Sequence, residues 1–199
     1  MKLTELKHQS IITAAKQEFI EKGFAAANMN KICELAEVSK RTLYKHFESK
    51  ELLFEAVLTL EQAEHNAQSD YRYLPEQSLQ QQLIAITEQE VSKLYRPNGI
   101  AFARTVVMEL FRQPETARAL SERLYKTPAI SQWFAEAITA GAIKPMDVAL
   151  ITSVYESIFN GMFLWSQLLH VAEPVSGNEL AIKIQAVVEP VLKTYGQRE

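Results

Sequence analysis

The chain has 199 residues, 47% of them hydrophobic and 23% charged, enough for one good core or two small ones. A formal net charge of −3 argues against a basic, sequence-blind coat for nucleic acid. That charge is unevenly held, because residues 1–50 carry nine Lys/Arg against six Asp/Glu and the remainder is acidic, the asymmetry expected of a DNA-binding head on a body with another task.

From the amino terminus, Met1 through His8 has no apolar h-region, so no signal peptide is expected. Cys33 is the only cysteine, which excludes an internal disulfide and points to a reducing, cytoplasmic compartment. The spacing predicts a helix over 5–22, with Ile11, Ile12, Ala15 and Phe19 on one face and Gly23 as its stop. Asn28 is the expected N-cap of a short second helix, whose Met29, Ile32, Cys33 and Ala36 form an apolar stripe. Ser39 caps a third helix and Ser49 a fourth. Proline and glycine punctuation then divides the chain into helices near 50–72, 75–95, 99–112, 115–140, 146–171 and 178–195. The expectation is an all-α protein of about nine helices, a three-helix helix-turn-helix head over 1–50 and a larger helical body over 51–199. The most apolar stretch, 148–171, contains Glu156, Asn160 and Gln167, and reads as a buried helix rather than a membrane span.

The third helix has chemistry on its outside. At 100° per residue, Leu43 and Phe47 define the inner side. Arg41, Thr42 and Lys45 occupy the centre of the opposite side, with Lys40, Tyr44 and His46 on the flanks. In a major groove the central residues meet base edges and the flanks meet phosphate. Arg41 suits bidentate bonding to guanine, and Thr42 suits a thymine methyl. Tyr44, His46 and Lys50, which opens the next helix, suit phosphate oxygens.

Gly23-Phe24, Met29-Asn30-Lys31-Ile32, the run from Ala36 to Phe47, and Ser49-Lys50-Glu51-Leu52-Leu53 together resemble the amino-terminal signature of TetR-family transcriptional regulators. The resemblance covers residues 8–58. It implies a homodimer whose two heads read a palindromic double-stranded operator, acting as a repressor released when the body binds a small-molecule effector. It also implies that Lys40, Arg41, Thr42, Tyr44 and Lys45 face DNA, and that Asn28, Tyr44, His46 and Lys50 hold phosphates. Glu37 departs from the pattern, standing where glycine is usual in the turn, and Asn28 stands where Ser or Thr is usual.

Beyond residue 51 the likeness to a recurrent TetR carboxyl-terminal domain is looser. It rests on Ala103 through Glu115 and the turn from Gly141 to Pro145. The helix over 146–171 is apolar nearly all round and must be covered on both sides. The resemblance supplies that cover as a four-helix bundle formed with the last helix and its symmetry mates. Gly161 suits a close helix crossing there, and Pro190 a kink in the last helix. Candidate ligand contacts are Phe102, Arg104, Met108, Phe111, Trp133, Phe134, Tyr155, Phe159 and Met162, with Glu109 and Glu156 as further polar handles. They suggest an apolar or aromatic effector. His8, His46, His65 and His170 are scattered, so neither a metal site nor a cofactor is expected. No phosphate loop, nucleophile elbow or carboxylate pair suggests an enzyme. A body that recruits a protein partner instead of a small ligand stays open as the alternative.

Overall fold

The computed structural model describes residues 3–67, 70–112, 129–170 and 173–197. These contain ten helices, nine of them of seven residues or more. They are α1 Leu3–Ala26, α2 Met29–Leu35, α3 Lys40–His46, α4 Lys50–Ala67, α5 Leu79–Leu94, α6 Gly99–Arg112, α7 Ile130–Thr139, α8 Val148–Phe163, α9 Trp165–Leu168 and α10 Gly177–Tyr195. An isolated bridge between Ile143 and Gly196 ties the turn after α7 to the end of α10. No helix among the described residues is long and apolar enough to cross a membrane.

The chain forms two compact units. The first takes the chain through His65, hence α1 to α3 and nearly all of α4, and α6 from Ala101; the second takes α5 and α7 to α10. In the first unit, Ile11, Ala15 and Phe19 of α1 pack with Ile32, Leu43, Leu53 and Val57, all at most 1% exposed. Phe19, Phe24 and Phe54 meet ring to ring at its centre, Phe19 and Phe54 edge-on with centroids 5.2 Å apart. Gly23 breaks α1 where expected. Its φ of 73° is a conformation that side chains with a Cβ rarely adopt, so the helix direction changes there.

In the second unit, Leu83, Trp133, Phe134, Ile143, Ile151, Phe163 and Val187 are completely buried. Three boundaries differ from the periodicity. The helix predicted over 50–72 is described from Lys50 to Ala67, and residues 70–74 are non-helical because their backbone is claimed elsewhere. Tyr73 N–H donates to Glu136 at 2.8 Å, and Leu74 N–H to the Gln82 side chain at 2.9 Å. The helix predicted from 75 starts at Leu79, capped by Ser78. The helix predicted over 146–171 is two helices, broken at Leu164. There the Phe163 carbonyl accepts a bond from the Tyr95 hydroxyl at 3.3 Å, a side-chain intrusion into the ladder that favours a break. The predicted 115–140 helix survives in its second half as α7; its portion before residue 129 lies outside the described residues. Pro190 sits inside α10, whose Ile184, Val187, Val188 and Val191 are buried.

Candidate nucleic-acid interface

The recognition face depends on two caps and one strained turn. Asn28 opens α2, its Oδ1 accepting Asn30 N–H at 2.8 Å, while its own N–H donates to the buried Glu18 carboxylate at 3.0 Å. α2 closes with Val38 N–H bonded to the Cys33 carbonyl at 3.0 Å. Glu37 adopts φ 54°, the left-handed conformation that glycine supplies without the roughly 1–2 kcal/mol cost of a Cβ. The residue that departs from the family pattern is therefore the residue that carries the strain. Ser39 starts α3, its Oγ accepting Thr42 N–H at 3.1 Å and lying 2.9 Å from the Thr42 hydroxyl.

Over its seven residues α3 keeps the inner side its periodicity predicts, but Thr42, expected at the centre of the outer side, is half-buried, and Lys40 and Tyr44, expected on the flanks, are exposed. Leu43 is fully buried and Phe47, just past its end, is 6% exposed. Lys40, Arg41, Tyr44 and Lys45 are exposed, Thr42 and His46 half-buried. Tyr44 keeps 49% of its surface in solvent, a large exposure for an aromatic side chain in a folded head. His46 lies against His8 of α1, ring centroids 5.5 Å apart, and His8 stacks on Phe47 at 4.9 Å. Burial, then His8, Lys45 and Lys7, hold the His46 imidazole below its ordinary 6.5. Asn28 is exposed at the start of α2. Lys50 is half-buried and donates to two carbonyls of the α1–α2 turn, Ala25 at 3.0 Å and Ala27 at 3.2 Å. Neither that contact, the His8–His46 pair nor the Ser39–Thr42 link is readable from local sequence. The Lys50 and His8 contacts join residues more than twenty positions apart, and a hydroxyl's partner depends on its rotamer.

The nine candidate ligand residues are divided between the two units. Phe102, Arg104, Met108 and Phe111 belong to the first unit, where Phe102 is core and Met108 and Phe111 are exposed. Trp133, Phe134, Tyr155, Phe159 and Met162 belong to the second. There the structure adds Tyr73, Tyr95 and Phe163 to make a chain of touching rings, running from Tyr73 through Trp133, Phe134, Tyr155, Phe159 and Phe163 to Tyr95. Tyr155 is 2% exposed, with its hydroxyl 3.0 Å from Thr87 Oγ1, and burial raises its phenol well above the ordinary range. Glu156 beside it is half-buried, its carboxyl raised by burial and then by Glu90. Glu109 is 5% exposed and reaches Arg112 at 3.7 Å. Among the described residues no group of three or more His, Cys, Asp or Glu is arranged to hold a metal. Cys33 is buried in the first core, which raises its thiol pKa and leaves it a packing residue.

Residues 11–57 match the family described as bacterial regulatory proteins, tetR family, and residues 81–197 match the AefR-like transcriptional repressor C-terminal domain. The chain belongs to the TetR family. A TetR-family transcriptional regulator from Pseudomonas syringae pv. tomato str. DC3000 shares the fold at a TM-score of 0.82 and 29% identity, over 98% of this chain and 100% of that one. The flavonoid-responsive regulator FrrA aligns at a TM-score of 0.76 and 26% identity, over 97% and 98% of the two chains. UidR of Escherichia coli (strain K12) is 44% identical over 52 residues, a match that spans 26% of each chain and so only about a quarter of that relative. This TetR-family protein is a DNA-binding transcriptional regulator and not an enzyme. Its α2 and α3 form the helix-turn-helix pair within the tetR-family match.

Proposed function

We propose that the protein is a cytoplasmic, homodimeric repressor that leaves a palindromic operator when a small-molecule effector binds its body. Residues 1–50 bind DNA, and residues 51–199 bind effector and hold the dimer. The observation that carries this reading is α3 itself, a seven-residue helix sealed by Leu43 on one side, with Arg41, Tyr44 and Lys45 exposed on the other. Arg41, Thr42, Lys45 and Lys40 read bases; Asn28, Tyr44 and His46 hold the phosphate backbone. The chain of seven rings in the second unit supports an aromatic effector, as does the similarity to a flavonoid-responsive regulator. Effector binding displaces α4 and moves the recognition helices of the dimer off the roughly 34–36 Å spacing of successive major grooves. A coupling of about 1–3 kcal/mol lowers operator affinity 5- to 150-fold.

The test is selection of duplexes from a random library, followed by titration against salt. The expected outcome is a palindromic consensus. Tyr44→Ala should weaken binding to every duplex with little change in preference, whereas Arg41→Ala should relax preference at one base of each half-site. Selection that returns no consensus, with the protein folded and the salt low, overturns the reading.

A further inference from the structure

Lys50 is the first residue of α4, and its ammonium turns back from DNA-facing ground toward the protein's own backbone. It donates to the carbonyls of Ala25 and Ala27 and stands 4.8 Å from the Phe24 ring centroid, over its face. Both carbonyls belong to the end of α1 and the link to α2, where the helical ladder runs out and oxygens lack intrahelical donors. A cation at that helix end is favoured by the helix dipole and by charge-assisted hydrogen bonding. The same turn is gripped from the other side. Glu18, 3% exposed, accepts the Asn28 N–H at 3.0 Å. One carboxylate thus holds the turn's donor while one ammonium holds its acceptors, and Asn28 sits between them.

We infer that Lys50 is a positioning residue for the DNA interface, a latch that fastens the α1–α2 turn, and with it Asn28, to the start of α4. This rests on the proposed reading of Asn28 and α3 as DNA contacts, and it assigns Lys50 a route to operator affinity other than neutralising a phosphate. A shift of α4 is then felt at the turn carrying Asn28 through two hydrogen bonds, without the recognition helix having to unfold.

Two readouts separate a latch from a phosphate ligand. Backbone amide exchange is measured on the DNA-free protein, and binding to the library-selected duplex is measured across a salt series. Lys50→Met should speed exchange at residues 27–30, leave the Leu43 amide protected, and weaken operator binding at least about tenfold. The slope of log affinity against log salt should change by well under the ~0.9 that losing one phosphate contact produces. Lys50→Gln shortens the side chain and removes the charge, so it should show the fast exchange with a slope changed by well under ~0.9. That variant decides the matter should Lys50→Met fail to fold. Wild-type exchange in both variants, or a slope reduced by ~0.9 with Asn28 still protected, overturns the latch. If the wild-type protein binds no duplex, the DNA-binding reading fails, while the exchange arm still judges whether Lys50 holds the turn.

Discussion

Thr42 shows how a single hydroxyl limits what the proposed recognition helix can read. Its Oγ1 lies 2.9 Å from Ser39 Oγ, within the cap that starts α3, so the hydroxyl is engaged by the protein and the methyl is the group left for a base. Contact with a thymine methyl needs the carbon and not the oxygen. Thr42→Val is therefore expected to keep the wild-type preference at its base, while Thr42→Ser loses it by about 3- to 5-fold, the worth of one buried methyl. Competitive titration of duplexes carrying thymine or uracil at that position reads the difference, and loss in Thr42→Val with retention in Thr42→Ser would show the hydroxyl to be the reader. His46 carries the second residue-scale expectation. Its pKa is held down in the folded head by burial, His8, Lys45 and Lys7. Above the ordinary value of 6.5 the imidazole is neutral in both folded and unfolded chains and has no effect. As pH falls through 6.5 the unfolded chain takes up the proton first, so the head loses stability until the folded value is also passed. Melting temperature should drop as pH falls from neutral through 6.5, and His46→Gln should flatten that part of the curve. Operator binding should move the other way. A phosphate beside His46 favours the charged ring, so affinity rises as pH falls, and equal affinity at both ends would remove His46 from the phosphate contacts.

At the scale of elements, Gln82 holds the non-helical stretch that leads into α5. It is 6% exposed, and its Oε1 accepts from Leu74 N–H at 2.9 Å and from the Trp133 indole at 3.2 Å. Its Nε2 donates to the carbonyls of Leu74 and Gln77 at 2.8 and 3.0 Å. With the backbone at 74–77 satisfied by a side chain, neither the helix before it nor the helix after it extends into that stretch. Gln82→Leu leaves those buried groups without partners and should cost about 2–4 kcal/mol, read as a lower urea midpoint at unchanged slope. A loss under about 0.5 kcal/mol would mean that solvent replaces the strap. The same reasoning explains which elements were legible in the chain. α1, α2, α3, α6 and α10 appear nearly where periodicity and caps put them, because Gly23, Asn28, Ser39 and the Pro97–Gly99 turn act on their immediate neighbours. The end of α4 and the break at Leu164 were not legible, because each depends on a partner distant in sequence, Glu136 for Tyr73 and Tyr95 for Phe163. The start of α5 follows a local signal, the Ser78 cap, which the punctuation at Pro75 obscured.

At the scale of the whole molecule, α8 carries more apolar surface than one chain covers. Its inner side, with Ile151, Tyr155 and Phe163, lies in the core of the second unit. Leu150 remains 55% exposed on α8, as do Trp165 at 44% and Leu169 at 70% just beyond it, and Ile182 on α10 at 60%. Among the described residues Gly161 has no atom within 4 Å of where a Cβ would stand, so the close crossing that its small size suits is not made there. Exposed apolar side chains on the last helices fit the proposed dimer, and Leu169→Glu should produce a folded monomer by sedimentation, with operator binding weakened because one head reads too few bases. A charged variant that stays dimeric would move the interface elsewhere. The division of labour between sequence and tertiary structure follows from the range of the forces involved. Helical class, the inner side of α3, and the caps that frame it were determined by the sequence alone, since 3.6-residue periodicity and N-capping act over one or two turns. Only the tertiary structure decided that the Lys50 ammonium returns to Ala25 and Ala27, that His8 faces His46, and that Tyr73 and Tyr95 join the chain of rings. Those contacts are made by side chains whose partners are brought near by packing, and no local pattern encodes the distance between them.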